Sequence, residues 1–231
     1  MLSLMKKYST LVIVLFLLNI SFVSGHVSHY KKINYLKYGL YLNNKLIGNH
    51  VYNFKTKGDF FYVESKGNFK VDKLGVVLMN YETETQEIYK QDELINFSSK
   101  TTQNDKKKYA KVILNKENNL YVEGSSFKGE INKNSLIGTW WNHEIVKSSK
   151  QISPISGRIM KQKVHFLGKK KIFINNKEYN ALHFHFISDD DKPLNKKKLN
   201  MHVWYDSETL LWIKTSYDKF GEWEYRLIEV R

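Results

Sequence analysis

The stretch that decides the fold is residues 199–231, which read LNMHVWYDSETLLWIKTSYDKFGEWEYRLIEVR. Three runs rich in aromatic and β-branched residues are separated by two polar breaks, at residues 207–209 and 218–222. Such runs favour extended strands, and breaks this short connect antiparallel neighbours rather than parallel ones. The C-terminal stretch therefore predicts a three-stranded antiparallel meander.

The same pattern extends back through the rest of the chain. Val76–Tyr89 shows the clearest period of two, with Val77, Met79 and Tyr81 on one face and polar residues on the other. Further strands are predicted at residues 33–42, 46–56, 60–66, 93–102, 109–115, 120–123, 158–166, from 172 and 179–188, with a turn at 169–171. Breaks at this spacing predict an all-β, mainly antiparallel fold of about ten to thirteen strands. We expect a single large curved sheet or an incomplete barrel.

The strand pattern breaks between Gly124 and Gly157, where Ser, Asn, Lys and Gly dominate. An apolar island, Ile137–Val146, interrupts this polar segment and contains adjacent tryptophans. Thr139 is a residue type that caps helices, so the island predicts one short helix from Trp140. No other helix is predicted after the N-terminal segment.

The N-terminus has the three zones of a secretory signal peptide. Lys6 and Lys7 precede the apolar run Leu11–Leu18, and small residues around Val23–Gly25 offer a cleavage site. The apolar run is shorter than the ~20 residues of a comfortable membrane span, although an uncleaved anchor stays an alternative. Residues 1–25 are thus predicted to be a signal helix, and residues 26–231 one β domain in the periplasm or secreted, with no membrane-spanning segment after cleavage.

Composition excludes several classes of protein. The chain has no cysteine, which rules out disulfides, thiolate metal sites and thiol nucleophiles. Its net charge is +14, yet only three of its 37 basic residues are arginines. Nucleic-acid sites favour arginine for its planar, forked side chain, so nucleic acid is not the expected partner. Lysines on a solvated surface are the simpler interpretation, and an anionic membrane surface or polysaccharide is the alternative.

Several motifs resemble those of an uncharacterised exported bacterial family, domain of unknown function 6134. Val203–Asp206 followed by Leu211–Ile213 resembles its C-terminal pattern, and Tyr41–His50 its opening motif. Tyr81–Tyr89 resembles its central strand, and Trp141–Asn142 its interrupted middle. The motifs occur in the right order over nearly the whole predicted mature chain.

The resemblance implies an exported protein, in a Gram-negative bacterium, but no catalytic residues, because the family has no established activity. Its architecture is distantly similar to curved-sheet domains of the lipoprotein-carrier group, some of which hold acyl chains against a concave face. A shared fold does not fix function, so the analogy suggests only a kind of ligand.

Three histidines form a candidate metal site. His183 and His185 are two residues apart on one predicted strand, so they share a face, and His202 lies on the next strand. Three imidazoles can bind Zn²⁺ and leave a position open for catalysis. Asp189 offers instead a two-histidine, one-carboxylate iron site. Ordinary histidines on a solvated sheet face are the alternative, and no complete zinc motif is present.

The tryptophan segment offers a second candidate site. Trp140, Trp141 and His143 sit where the sheet pattern breaks, and Trp204 lies in the closing meander. These four residues could stack on a sugar, lipid or aromatic ligand at the mouth of the sheet. The alternative is that the two tryptophans close the open side of the sheet as a structural plug.

The remaining polar residues give no clear reaction. Glu82 and Glu84 share a strand face and could form an acid–base pair, but an exposed polar face has the same pattern. The chain lacks a nucleophile elbow, a phosphate loop and a dinucleotide fingerprint. The sequence therefore favours a non-enzymatic protein, with no cofactor, that holds an apolar or amphiphilic ligand or a partner in a concave sheet. The alternatives are a Zn- or Fe-dependent hydrolase or isomerase using the three histidines, and a structural envelope protein that binds anionic lipid or polysaccharide through lysines.

Overall fold

The computed structural model describes residues 28–218 and 221–231. The described residues form fifteen strands. Seven precede residue 125: β1 (Tyr35–Leu42), β2 (Lys45–Lys57), β3 (Phe60–Lys73), β4 (Val76–Lys90), β5 (Glu93–Gln103), β6 (Lys106–Leu114) and β7 (Leu120–Gly124). Eight follow: β8 (Lys128–Ile131), β9 (Leu136–Ile137), β10 (Lys150–Ile152), β11 (Ile159–Ile174), β12 (Lys177–Ser188), β13 (Asn200–Asp206), β14 (Trp212–Asp218) and β15 (Glu222–Val230). The predicted signal helix lies outside the described residues.

All fifteen strands belong to one sheet, in the order β8-β7-β6-β5-β4-β3-β2-β1-β15-β14-β13-β12-β11-β10-β9. The pairing of β1 with β15 joins the two halves of the chain at the centre of the sheet, with Leu40 opposite Tyr225. Neighbouring strands run antiparallel, except that β9 and β10 are parallel. The two edge strands, β8 and β9, are consecutive in the sequence but do not pair with each other. The sheet is therefore an unclosed, barrel-like surface, and the predicted all-β class is confirmed.

The closing meander is confirmed as β13, β14 and β15, each antiparallel to the next. The expected count of ten to thirteen strands is wrong, because the segment before Gly157 contributes β8, β9 and β10. These strands are only two to four residues long. A period of two cannot be recognised over so few residues, and their pairing depends on partners far along the chain.

Asparagine pairs form the turns of two hairpins, β1–β2 and β11–β12. Asn43 and Asn44 both have positive φ, as do Asn175 and Asn176. This is the backbone of a two-residue type I′ hairpin turn, which asparagine tolerates better than most residues. The turn predicted at residues 169–171 is wrong, because β11 runs through these lysines to Ile174. Exposed lysines are compatible with a strand, so charge alone did not mark the turn.

Within residues 28–218 and 221–231, the helical segments are three short 3₁₀ helices, Ser28–Lys32, His143–Lys147 and Leu194–Lys196. The predicted helix near Trp140 therefore exists but begins later, and it is not the only one. Its cap is Asn142, whose side-chain Oδ1 accepts a hydrogen bond from Glu144 N at 3.1 Å. Thr139 does not cap it. No helix among the described residues has the length and apolar character needed to cross a bilayer.

One continuous core joins both halves of the sheet. Tyr38 of β1 stacks on Trp212 of β14 with ring centroids 4.0 Å apart, and Tyr52 of β2 meets the same indole edge-on at 6.1 Å. The Tyr38 hydroxyl donates to Trp212 O at 2.7 Å. Aromatic rings bury much apolar area each and dominate such cores. The core face of the sheet is thus its concave face, and it positions the sites below.

Candidate functional site

A plug closes one end of the concave face. Trp141 is fully buried, and its ring meets Tyr30, Phe54 and Tyr89 edge-on at 5.3–5.7 Å. Its Nε1 donates to Glu87 Oε1 at 2.9 Å. The ring has no exposed surface with which to stack on a ligand. The structure therefore places Trp141 as the structural plug that was the alternative to ligand contact.

Glu87 is the buried polar partner of that plug. The carboxyl is fully buried on β4, and Tyr89 Oη donates to its Oε2 at 2.5 Å. Burial raises the pKa of Glu87, and the hydrogen bonds from Tyr89 and Trp141 oppose that rise. Two donors directed at one buried carboxyl make this group a fixed part of the core. It holds the indole in place.

The neighbours of Trp141 are also packed. Trp140 is half-buried and its ring contacts Phe186 edge-on at 5.0 Å, while its carbonyl accepts a hydrogen bond from Tyr205 Oη at 2.9 Å. His143 is buried, and its Nε2 lies 3.2 Å from Glu144 Oε1. Three of the four predicted ligand contacts, Trp140, Trp141 and His143, thus lie together at the plug.

A layer of small hydroxyl side chains lies beside the plug on the concave face. Ser65 Oγ is 2.8 Å from Thr85 Oγ1, and Thr83 Oγ1 is 2.9 Å from Thr101 Oγ1. All four side chains are buried. A buried hydroxyl costs free energy unless it is hydrogen-bonded, so these cross-strand pairs stabilise the layer. Sequence reasoning did not identify it, although strand alternation places residues 83, 85 and 87 in phase with Tyr81.

His50 of β2 caps this layer. Its Nε2 lies 3.0 Å from Ser65 Oγ, and its ring stacks on Tyr52 at 4.5 Å. The side chain keeps some exposed surface, yet it is enclosed by rings on the concave face. Desolvation lowers the pKa of His50 to about 3, so the imidazole is neutral at physiological pH. A neutral imidazole donates a hydrogen bond from one ring nitrogen and accepts one at the other.

An aromatic mouth forms the end of the concave face opposite the plug. We define it as Phe69, Tyr81, Tyr217 and Trp223. Phe69 stacks on Tyr81 at 4.8 Å, Tyr217 stacks on Trp223 at 5.6 Å, and Phe69 meets Trp223 edge-on at 5.4 Å. Phe69 is buried, while the other three rings are partly exposed. The mouth thus presents accessible aromatic surface on a concave wall, the usual lining of a ligand site.

Gly48 lets the mouth form. The Phe69–Trp223 contact joins β3 to β15, although β2 and β1 lie between them in the sheet. Gly48 of β2 is paired with Phe69, and a Cβ on it would lie 2.1 Å from Asn68 O and 2.6 Å from Phe69 Cα. A glycine inside a strand commonly marks such a close approach of backbones. Any larger residue at position 48 would push β3 away.

The three predicted metal ligands form a row with a fourth histidine. His165, His185 and His202 are direct cross-strand partners on β11, β12 and β13. His185 and His202 stack with centroids 4.6 Å apart, and His183 Nε2 lies 2.9 Å from His202 Nδ1. Strand alternation puts this row on the face opposite the one that carries Phe184. The structure therefore brings the predicted histidines together, as their spacing indicated.

The row is not arranged as a metal centre in this geometry. The 2.9 Å contact between His183 and His202 is a direct hydrogen bond, and His185 Nε2 is bonded to Asn200 Oδ1 at 2.8 Å. Asp189 is ion-paired with Lys163 at 2.8 Å instead of reaching the histidines. Among residues 28–218 and 221–231, no group of three His, Cys, Asp or Glu side chains could hold a metal ion. Metal binding stays a prediction for experiment.

Burial and neighbouring charges disfavour the protonated forms of two histidines of this row, His183 and His202. Desolvation lowers the pKa of His183 to about 4, with further lowering by His202 and Lys170. The pKa of His202 is lowered for the same first reason, and next by His185. Two imidazoles in direct contact can share one hydrogen bond only when at least one of them is unprotonated. The direct contact between His183 and His202 and the lowered pKa values of both residues therefore agree, because each favours an unprotonated imidazole.

Trp204 belongs to the histidine row rather than to the plug. Its indole stacks on His183 at 4.3 Å, and Lys214 Nζ lies 5.3 Å from its ring centroid. Because Trp204 and Tyr205 are adjacent in β13, they point to opposite faces. The structure thus separates Trp204 from Trp140, which is bonded to Tyr205. The four predicted ligand contacts do not form one site.

Of the two carboxylates proposed as an acid–base pair, Glu84 lines an open groove on the convex face, and Glu82 lines a neighbouring one. Glu84 is ion-paired with Lys66 at 2.8 Å, and both side chains are exposed. They help to line a groove of about 660 Å³ that also includes Glu64, Lys100 and Glu123. Mixed charges on an exposed sheet face serve solubility without chemistry. Tyr109 is the one aromatic residue among those that line this groove, whereas four aromatic rings form the mouth.

Comparison with known proteins places the chain in a family. Residues 38–228 match a domain of unknown function, DUF6134. The chain belongs to this family. The resemblance of Tyr41–His50, Tyr81–Tyr89 and the closing motifs to DUF6134 is thereby confirmed. These DUF6134 motifs contribute Gly48 and Tyr81 to the mouth and Glu87 to the plug.

A solved structure supports the DUF6134 fold. The chain is similar to the crystal structure of a β-barrel-like protein of domain of unknown function DUF1849 from Brucella abortus. The TM-score is 0.59 and the identity 12%, over 86% of this chain and 97% of that chain. At this identity the likeness shows the fold alone, and it agrees with the predicted distant similarity to curved-sheet domains. No curated protein matches the chain.

Proposed function

We propose that this protein is an exported, non-enzymatic binding protein that holds an apolar or amphiphilic ligand against the aromatic mouth. The observation that carries the proposal is the mouth itself. Partly exposed Tyr81, Tyr217 and Trp223 lie on the concave face, with Phe69 packed between the two halves of the sheet. Exposed aromatic surface on a concave wall is covered favourably by an apolar ligand.

The polar groups beside the mouth suit an amphiphile. Next to Tyr81 along the concave face, Thr83 is hydrogen-bonded to Thr101, and His50 is bonded to Ser65. A ligand whose chain packs on the rings can direct a hydroxyl or carboxyl group towards these hydroxyls and this neutral imidazole. A few convergent polar groups within an aromatic lining commonly fix the orientation of a bound ligand.

Two further features support a binding role over catalysis. The plug fills the other end of the concave face, so a ligand enters from the mouth. Two of the three carboxylates of β4 are engaged elsewhere, Glu84 with Lys66 and Glu87 with Trp141. The predicted signal peptide at residues 1–25 supports export to the periplasm or the medium, where a carrier of amphiphiles would act.

Titration with a dansyl-labelled fatty acid tests the proposal. Removing the Trp223 ring should weaken binding by about tenfold or more, the loss expected for one large apolar contact. Trp204→Ala is the matched control, because it removes an indole from the opposite face. Circular dichroism establishes that both variants fold. Loss of affinity in Trp204→Ala with retention in Trp223→Ala would move the site to the histidine row and refute the proposal.

A further inference from the structure

The hairpin of β3 and β4 projects beyond the rest of the sheet. Pairing of β2 with β3 ends at Phe69, and pairing of β4 with β5 ends at Tyr81. Residues 70–80 therefore form a two-stranded ribbon that stands alone beyond the aromatic mouth. At ~3.3 Å per residue, five residues on each arm extend roughly 15 Å. The ribbon turns at Leu74 and Gly75, both with positive φ.

The tip of this ribbon is apolar and exposed. Leu74 is 96% exposed, and Val76, Val77 and Leu78 are 61%, 48% and 53% exposed. Val76 and Val77 are consecutive and paired with β3, so their side chains point to opposite faces of the ribbon, and Leu78 is the extra residue of a bulge. Exposed apolar surface of this density on a soluble protein usually marks an interaction site.

A basic collar surrounds the base of the ribbon. The turn between β5 and β6 is bonded to it, with Asn80 N donating to Asn104 Oδ1 at 2.7 Å and Asn104 Nδ2 donating to Leu78 O at 3.2 Å. Lys106 and Lys107 follow this turn and are exposed, as is Lys70. By sequence, residues 70–80 and 103–108 hold five lysines and two aspartates.

We propose that the β3–β4 tip inserts into the interfacial region of a lipid bilayer that contains anionic lipid. Apolar side chains below a lysine collar match the two attractions that hold proteins at such surfaces, burial of apolar area and attraction to anionic headgroups. A fluid bilayer can surround both apolar faces of the ribbon at once, whereas a rigid groove on a protein covers one face. The proposal does not depend on the mouth binding a ligand.

The backbone limits the depth of insertion. The outer edges of the ribbon have no neighbouring strand, and unpaired N–H and C=O groups are costly in hydrocarbon. Asn104 satisfies backbone groups only at Leu78 and Asn80. The tip therefore reaches the boundary of headgroups and acyl chains, within about 5–10 Å, and does not cross the bilayer.

Site-specific labelling tests this insertion. Since the chain has no cysteine, Leu74→Cys gives one attachment point for an environment-sensitive fluorophore. Phe173→Cys is the matched control, because Phe173 is 72% exposed beside the turn of the β11–β12 hairpin, far along the sheet from β3 and β4. Both full-length variants carry the same N-terminus, so any membrane affinity of that segment is common to them.

Vesicles of phosphatidylcholine with one third phosphatidylglycerol should shift the emission of the Leu74 probe to the blue and leave the Phe173 probe unchanged. Changing Leu74, Val76 and Leu78 to Ser should weaken co-flotation with these vesicles by about 1,000-fold or more, since each of the three aliphatic side chains contributes at least about tenfold when it is buried. The double change Lys106→Gln and Lys107→Gln should remove the preference of the protein for these anionic vesicles over vesicles of pure phosphatidylcholine. Equal responses of the two probes, or no response from the Leu74 probe on either vesicle, would overturn the proposal and leave the tip as a surface for a protein partner.

Discussion

Replacing Trp141 by Ala should destabilise the protein more than any other single change at the plug. The ring is fully buried among Tyr30, Phe54 and Tyr89, so its removal leaves a cavity the size of an indole. Tryptophan-to-alanine changes in cores cost about 3–5 kcal/mol. The Glu87 carboxyl also loses the Nε1 donor, and an unsatisfied buried group costs about 1–3 kcal/mol. Because such terms are not additive, we expect a loss of about 4–6 kcal/mol.

Urea unfolding at neutral pH, followed by far-ultraviolet circular dichroism, measures this loss. Trp141→Phe separates the two terms, since it keeps most of the ring and removes the donor, and it should cost about 1–3 kcal/mol. Trp140→Ala is the control from the adjacent residue, whose half-buried ring contacts Phe186. A loss in Trp141→Ala no larger than that in Trp140→Ala would refute the assignment of Trp141 as the plug.

Four further outcomes follow from the same structure. Burial raises the pKa of Glu87 above 4.5, so the wild-type protein loses stability as the pH rises above about 4.5 and this buried carboxyl ionises. The free energy of unfolding of Glu87→Gln relative to wild type, measured by urea titration, should therefore increase as the pH rises above about 4.5. Desolvation lowers the pKa of His183 from 6.5 to about 4, so the unfolded state takes up a proton at higher pH than the folded state does. The free energy of unfolding of wild type should therefore decrease as the pH falls from 6.5 to about 4, while that of His183→Gln should lack this decrease. Gly48→Ala should lower the free energy of unfolding by about 1–3 kcal/mol or more, because the added methyl meets the backbone of β3. Gly58→Ala is the control, since no atom lies within 4 Å of the added methyl, and it should lower the free energy of unfolding by only about 1 kcal/mol through turn strain. Thermal unfolding of both variants measures the difference. Elemental analysis of purified protein should find zinc and iron below one ion per chain, because His183 and His185 are already hydrogen-bonded to His202 and Asn200; a stoichiometric ion that disappears in His183→Ala would restore the metal-enzyme hypothesis.

The sequence predicted the parts of the fold that depend on local alternation. The long strands and the closing meander followed from period-two patterns, and the shared face of His183 and His185 followed from strand geometry. The short strands β8 to β10 could not be predicted, because nothing within two to four residues distinguishes a strand from a loop. Their partners are fixed only after the sheet has curved.

The site was harder to predict because its residues meet through long-range pairing. Phe69 and Trp223 come together only once β1 pairs with β15, and no local pattern signals that closure. The core position of Glu87 was not predicted. It lies in phase with Tyr81 along β4, so alternation could have placed this carboxyl on the core face. The adjacent tryptophans marked the segment of the plug, and the burial of Trp141 agrees with the structural alternative, while ligand contact by this segment stays a prediction.

Mass spectrometry of material extracted from the purified protein tests the central claim most directly. Protein isolated from a host that exports it should carry about one equivalent of an amphiphile, and Trp223→Ala protein prepared in the same way should carry much less, because that ring lines the mouth. Trp204→Ala protein should carry as much as wild type. An extract with no amphiphile above the level of an unrelated exported protein, or equal amounts from wild type and Trp223→Ala, would contradict the account.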